Sequence, residues 1–226
     1  MRMRPNDKTE ELIVATRNAG KTKEFAKLFE PLGILVRSLN DFPDAPDIVE
    51  DGETFADNAW KKARTIAEAY GLPALADDSG LCVDRLGGRP GVYSARYAGE
   101  GATDADNNAK LLRELGALGE PDAFDPAAEE AARHTGVRLL SPARFVCALA
   151  LVDPAEEAPV QVEGSCAGYV IDRPLGEQGF GYDPLFFLPD LGATMAQLPL
   201  ERKNAVSHRA LALRLLQERL GERIGR

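Results

Sequence analysis

The stretch Leu12 to Gly33 constrains the start of this fold more tightly than any other. Leu12-Ile13-Val14-Ala15 is a short apolar run that predicts a strand, and Thr16-Arg17-Asn18-Ala19-Gly20 turns the chain. "GKTKEFAKLFEPLG" then puts Phe25, Leu28, Phe29 and Leu32 at helical spacing, with Gly33 as the stop. "ILVRSL" follows as a second strand. A chain that opens with strand, tight turn, helix and strand belongs to the α/β class. The same residues spell "ATRNAGKT", which satisfies the relaxed phosphate-loop pattern in which Ala replaces the first Gly.

Further along, "DFPDAPDIVEDGE" is a polar, proline-bearing loop. "TFADNAWKKARTIAEAYGL" predicts a helix, opened by Thr54 and Asp57 in the manner of a capping box and closed by Gly71. "PALADDSGLCVD" predicts an apolar strand, an acidic turn and a short strand, and "TDADNNAKLLRELGAL" another helix. Residues 119–142 turn to Ala, Glu, Pro and Asp, which predicts a mobile surface insertion. "ARFVCALALVD" and "VQVEGSCAGYVI" predict strands, "GFGYDPLFFLP" a glycine-rich turn into an apolar strand, and "ERKNAVSHRALALRLLQERL" one closing amphipathic helix. There is no internal repeat. The 226 residues fit one domain, with a flexible tail expected over residues 1–10.

Charge and cysteine content exclude several classes. With 27 basic and 36 acidic residues, the net charge is −9, which argues against a nucleic-acid partner but leaves room for a small anionic ligand. Cys82, Cys147 and Cys166 are odd in number and form no C-x-x-C pair, so reduced thiols are expected in place of a disulfide framework or zinc site. No apolar run approaches the roughly 18 residues that a membrane span needs. "MRMRPNDKTEE" has no apolar core of a signal peptide, so the expected compartment is the cytoplasm, with no membrane partner.

A phosphate-loop NTPase also needs an apolar strand ending in Asp to hold its metal, and "VCALALVD" ending at Asp153 imitates one. But "PAEEAP" and a second β-rich run follow Asp153, which predicts an antiparallel hairpin, whereas such NTPases are built on parallel strands and helical crossovers. The missing first Gly also removes a position where positive φ helps the backbone wrap a phosphate.

The segments "LIVATRNAGKTKE", "TFADNAWKKA", "ADDSGLCVDRLGGRPGVYSARYAG", "ARFVCAL", "GFGYDPLFF" and "ERKNAVSHRALAL" occur in this order between Leu12 and Leu216. Together they resemble the inosine/xanthosine triphosphate pyrophosphatases, the Ham1-like family. That resemblance implies an α/β fold with a long mixed β-sheet flanked by helices, two lobes around a central nucleotide cleft, and a homodimer. It also implies magnesium-dependent cleavage of a nucleoside triphosphate (ITP, dITP or XTP) to the monophosphate and pyrophosphate. Two features depart from the family pattern. Thr16-Arg17-Asn18 stands where the family usually has T-G-N, and residues 119–142 are longer than typical.

Cleaving a triphosphate requires neutralising several charges and activating a water. Thr16, Arg17, Asn18, Ala19 and Gly20 end a strand and begin a helix, so free backbone N–H groups point at a bound phosphate, and Lys21 adds a mobile charge. The resemblance implies Asp78 as magnesium ligand and water-activating base, Ser79 as a substrate contact and Lys62 as a phosphate contact. A second acidic ligand is needed; Glu50 is the candidate, with Asp77 the alternative. Trp60 is expected to serve packing, and "GVYSARYAG" a dimer interface, with Arg96 near the cleft mouth.

Phe180-Gly181-Tyr182-Asp183 offers an aromatic face, a close-approach backbone and a carboxylate acceptor, while Lys203, His208 and Arg209 add donors. A 6-oxopurine presents O6 as acceptor and N1–H as donor, and adenine reverses both, so this set matches hypoxanthine and xanthine. Two rivals stand beside this enzyme: a phosphate-loop NTPase or kinase, and a non-catalytic nucleotide-binding protein of the same fold, against which the intact Asp78 speaks.

Overall fold

The computed structural model describes residues 10–224. The tail expected over residues 1–10 lies outside the described residues, apart from Glu10, where the first strand begins. In chain order the elements are β1 (Glu10–Val14), α1 (Ala19–Phe29), β2 (Ile34–Ser38), α2 (Phe55–Tyr70), β3 (Ala74–Val83), α3 (Asp104–Ala117) and α4 (Pro126–Thr135). They continue with β4 (Leu139–Val152), β5 (Val160–Ile171), β6 (Phe186–Leu188), β7 (Ala193–Thr194), α5 (Leu200–Val206) and α6 (His208–Ile224).

The strands form one mixed sheet in the order β2-β1-β3-β4-β5-β6-β7. β1 runs parallel to β2, with Leu12 opposite Val36, and parallel to β3, with Ile13 opposite Ala74. β5 and β6 pair antiparallel, as do β6 and β7. β4 and β5 are neighbours joined only by residues 153–159, too short a link for the crossover that a parallel pair requires. That is the hairpin expected after Asp153, and it is not the architecture of a phosphate-loop NTPase. The mixed sheet is the one that the family resemblance implies.

The chain divides into two compact units. One holds the residues up to Asp78, Cys147–Gly164 and the chain from His208; the other holds Ser79–Val146 and Ser165–Ser207. In the first unit, Val14, Phe25, Phe29, Leu75, Cys147, Leu149, Ala212, Leu213 and Leu216 share one core. Phe25 and Phe29 sit one helical turn apart and stack at 6.3 Å between ring centres, so α1 presents a continuous apolar stripe. α2 starts where the Thr54 hydroxyl accepts the N–H of Asp57 and ends at Gly71 in the left-handed region; of the expected capping box only this first half forms, because the Asp57 carboxylate accepts from the Thr54 hydroxyl at 2.7 Å. Its buried face is unusual: Phe55, Ala59, Ala63, Ile66 and Ala67 are joined there by Asn58 and Lys62. Gly164 lets α6 lie close on β5, since a Cβ there would strike the backbone of His208 and Ala212.

In the second unit, Ala128, Ala132, Val137, Leu139, Ile171 and Phe187 form a core, and Phe124 meets Tyr169 edge-on at 5.6 Å. The excursion predicted over 119–142 is therefore largely built structure. Asp125 caps α4, whose alanines pack inward, and β4 begins at Leu139 with Ser141 fully buried. Its alanines, which suggest low-complexity surface in the sequence, are the small residues that let a short helix lie close to the sheet.

Two further expectations change. Asp77 to Gly80 form no turn: they are interior residues of the unbroken strand β3. The closing helix is two helices, α5 and α6, separated by Ser207 in extended backbone at φ −69° and ψ 154°.

Candidate active site

The phosphate-loop-like segment is a short turn into α1. Asn18 caps the helix, its Oδ1 accepting the N–H of Lys21 at 3.0 Å, and the Thr16 hydroxyl accepts the N–H of Asn18 at 3.2 Å. Ala19 and Gly20 occupy the first two helical positions, whose N–H groups have no partner inside the helix. The turn is tied to the end of β2: Leu39 N–H donates to the Thr16 carbonyl, Arg17 to the Leu39 carbonyl at 3.2 Å, and the Asn40 side chain to the Arg17 carbonyl. Arg17 stands where the family usually has Gly, yet no non-glycine residue among those described has positive φ, so the turn carries no backbone strain at this position. Thr22, the metal-binding hydroxyl of a true phosphate loop, donates instead to the Asn18 carbonyl at 3.0 Å.

β3 is buried along nearly its whole length, and its two adjacent aspartates carry different partners. Asp77 takes Arg209 twice on Oδ2, from Nε at 3.2 Å and Nη2 at 3.0 Å, and the Cys147 thiol donates to the same oxygen at 3.4 Å. Lys21 pairs with its Oδ1. Arg209, with a side chain 1% exposed, also pairs with buried Glu24. Burial would raise the Asp77 pKa, but Arg209, Lys21 and Lys62 outweigh it and hold the carboxyl well below the usual range.

Asp78 has a separate set of partners. Its Oδ1 accepts from Lys62 at 3.0 Å, and its Oδ2 accepts from the Asn58 amide at 3.1 Å. Lys62 also reaches Glu50 at 3.2 Å, so one ammonium joins the two candidate metal ligands. Burial would lower Lys62, yet Asp78, Glu50 and Asp77 outweigh it and keep it firmly charged. Burial raises Asp78 above an ordinary aspartate in spite of Lys62 and Lys21. A carboxyl lifted in this way and facing a fixed cation is a suitable proton acceptor.

The second unit holds Phe180 to Asp183 and Lys203 of the predicted base-recognition set, while His208 and Arg209 belong to the first. Asp183 Oδ2 accepts from the Phe180 backbone N–H at 2.9 Å and from Lys203 at 2.7 Å, and Lys203 lies 4.8 Å from the centre of the Phe180 ring. Gly179 has φ +82°, and a Cβ on it would collide with the Asp183 carboxylate. Gly181 is pinned on both sides, its N–H to Asp104 at 2.6 Å and its carbonyl to the Asn108 amide at 3.0 Å. Tyr182 is buried, and its hydroxyl donates to the Ser94 carbonyl at 2.9 Å. Ser79, which follows Asp78 on β3, is half-buried, and His208 is buried where α6 begins.

Two of the expected substrate contacts also have partners inside the protein. Arg209, expected to offer donors to a base, pairs with Glu24 and Asp77 in the first unit. Tyr182, expected to touch substrate, donates its hydroxyl to the Ser94 carbonyl. Sequence reasoning missed Glu24, Cys147, Asn58, Asp104 and Asn108 as partners. Only Asn58 and Glu24 left a trace, as polar residues on otherwise apolar helix faces.

A mixed sheet that brings two carboxylates, two lysines and an open helix start together within one unit defines a phosphate-handling α/β protein. The chain belongs to the Ham1 family, which its residues 12–219 match. It is 51% identical to the dITP/XTP pyrophosphatase of Geobacillus kaustophilus, covering 95% of this chain and 96% of that protein. It is also 51% identical to the dITP/XTP pyrophosphatase of Geobacter sulfurreducens, covering 93% and 96%. Among solved structures, a HAM1 protein from Coxiella burnetii matches with a TM-score of 0.77 at 39% identity, covering 94% of this chain and 99% of that one.

Proposed function

We propose that this chain is a nucleoside triphosphate pyrophosphatase that hydrolyses ITP, dITP and XTP to the monophosphate and pyrophosphate. The observation that carries this reading is Asp78, a buried carboxyl held by Lys62 and Asn58 with Glu50 on the same ammonium. Relatives named dITP/XTP pyrophosphatase support the choice of substrates. The N–H groups of Ala19 and Gly20 and the side chains of Lys21 and Lys62 receive the phosphates, on the turn shaped by Thr16, Arg17 and Asn18. Asp78 takes the proton of a water whose oxygen bonds to the α-phosphorus, and the bond from that phosphorus to the bridging oxygen breaks, releasing pyrophosphate. Asp77 keeps Lys21 in place.

Glu50 and Asp78 offer only hard oxygen donors, and no group of three His, Cys, Asp or Glu gathers among the described residues. Two carboxylates suit magnesium, which keeps several waters and completes its shell with substrate phosphate. When bound there, the ion would neutralise phosphate charge. On the base side, Phe180 stacks, Gly181 allows close approach, Lys203 donates to O6 and Asp183 accepts N1–H; Ser79 and His208 complete the substrate contacts. Adenine would leave Lys203 and Asp183 mismatched. The protein acts as a homodimer in the cytoplasm on free nucleotides, with "GVYSARYAG" in the interface, where Tyr93 is 59% exposed. No helix among the described residues is long and apolar enough to cross a membrane.

Purified protein with magnesium and a panel of ITP, dITP, XTP, GTP and ATP tests this directly. With ITP, a phosphate dye should stay silent until inorganic pyrophosphatase is added. Direct release of orthophosphate would overturn the proposal in favour of an NTPase.

A further inference from the structure

We infer that Asn58 is a positioning residue that sets the distance between Glu50 and Asp78, an inference that rests on the metal site proposed above. Asn58 is 1% exposed on the inner face of α2, and each end of its amide has one job. Oδ1 accepts the Gly52 N–H at 2.7 Å, and Nδ2 donates to Asp78 Oδ2 at 3.1 Å. The two partners fix the amide's orientation, because the N–H needs an acceptor and the carboxylate needs a donor. Asp would place a second negative charge against Asp78, and Leu would leave both partners unsatisfied in a buried place.

Gly52 is also shaped for this contact. A Cβ there would lie 2.6 Å from Asn58 Oδ1 and 2.8 Å from the Asp57 Cβ, so the loop closes onto α2 only with glycine at this position.

The loop from 45 to 52 contains no helix or strand that could place Glu50. What places it is a ladder of three contacts onto α2: Asn58 to Gly52, Lys61 to Asp51 at 2.6 Å, and Lys62 to Glu50 at 3.2 Å. The three differ in durability. Lys61 and Asp51 are exposed, and such a pair contributes little. Lys62 is the cation that substrate phosphate would draw away from Glu50. The Asn58–Gly52 bond alone is neutral and independent of both, so it holds the loop when the site is loaded.

Binding of Mn2+ alone to the full chain, followed by the loss of its electron paramagnetic resonance signal, tests the role without any turnover. Asn58→Ala and Gly52→Ala should each weaken Mn2+ binding by about tenfold or more, the scale for losing a partner that orients a metal ligand. Lys61→Ala should stay within about twofold, as expected for an exposed pair. The preference for ITP over ATP should be unchanged in all three. Gly52→Ala retains every side chain of the ladder and keeps the test decisive if Asn58→Ala folds poorly. Wild-type Mn2+ affinity in folded Asn58→Ala or Gly52→Ala would overturn the inference. A wild-type protein that binds no Mn2+ would overturn the metal site itself, and the inference with it.

Discussion

Asp77 and Asp78 are consecutive on β3, yet they share no hydrogen-bonding partner: Asp77 receives Arg209, Lys21 and Cys147, while Asp78 receives Lys62 and Asn58. Alternation along a strand sends adjacent side chains to opposite faces, so one carboxylate can be fully neutralised while its neighbour stays poised. Burial acts on both, but the surrounding cations pull Asp77 far down and leave Asp78 raised. The two should therefore respond to mutation in different ways.

Asp77→Asn should be a stability mutant. It breaks the buried pair between Asp77 and Arg209, which costs about 3–5 kcal/mol for a broken buried ion pair. Urea denaturation should show the midpoint falling by that equivalent at neutral pH.

Acid should erase that difference. Asp77 has a folded pKa below its ordinary 3.8, so its contribution is fully present above that value and is lost as pH falls through the depressed one. The stability gap between wild type and Asp77→Asn should hold from neutral pH down to about 4 and narrow below it. A gap that is constant down to pH 2 would contradict the charge cluster.

Asp78→Asn should act chiefly on the rate. Burial raises the folded pKa of Asp78, so its contribution to stability is present below its unfolded value and lost as pH rises through the folded one. Asp78→Asn should therefore cost less stability at pH 7 than Asp77→Asn, while ITP hydrolysis falls by at least about a hundredfold, the low end for removing a general base. A rate within a few-fold of wild type would remove Asp78 from the mechanism.

The turn before α1 separates two chemistries. Thr22→Val deletes a hydroxyl that bonds only within the helix and should leave the rate within about threefold. Lys21→Ala removes a cation from the phosphate site and should cost about 2–4 kcal/mol of transition-state stabilisation. Steady-state rates at saturating magnesium should thus differ by more than tenfold, and equal severe losses would return a phosphate-loop mechanism to contention.

Base choice should depend on the turn around Asp183. Gly179→Ala places a methyl group against the Asp183 carboxylate and strains a residue at φ +82°. Together with Asp183→Ala, it should erode the ratio of kcat/KM for ITP over ATP while leaving the magnesium dependence near wild type. Arg209→Ala, by contrast, should lower stability with little selective effect on the base.

What the sequence made legible was local. The cap at Thr54, the Gly71 stop, the turn at Asn18 and the hairpin after Asp153 each follow from residues within a few positions of one another. The strand through Asp77-Asp78-Ser79-Gly80 was not legible, because adjacent acids next to glycine look like a turn until their counter-charges are supplied from α1, α2 and α6. The helix break at Ser207 left only a faint signal: "KNAVSHR" carries neither Gly nor Pro, and a lone Ser, though a favoured cap for a following helix, is common enough inside helices to be passed over. The candidate site was proposed from the sequence as a list of residues. Their partners, such as Asp77 for Arg209 and the Ser94 carbonyl for Tyr182, were readable only from the contacts.

Arg209 lies 132 residues after the aspartate it neutralises. During synthesis Asp77 and Glu24 leave the ribosome long before their guanidinium partner, and the helix that carries it also brings Ala212, Leu213 and Leu216 to the core. A growing chain shorter than this therefore has a first unit with neither its charge balance nor its closing apolar face. Completion of the first unit is tied to the last helix described, so a premature stop anywhere before His208 should leave that unit without both the Arg209 pairs and part of its core.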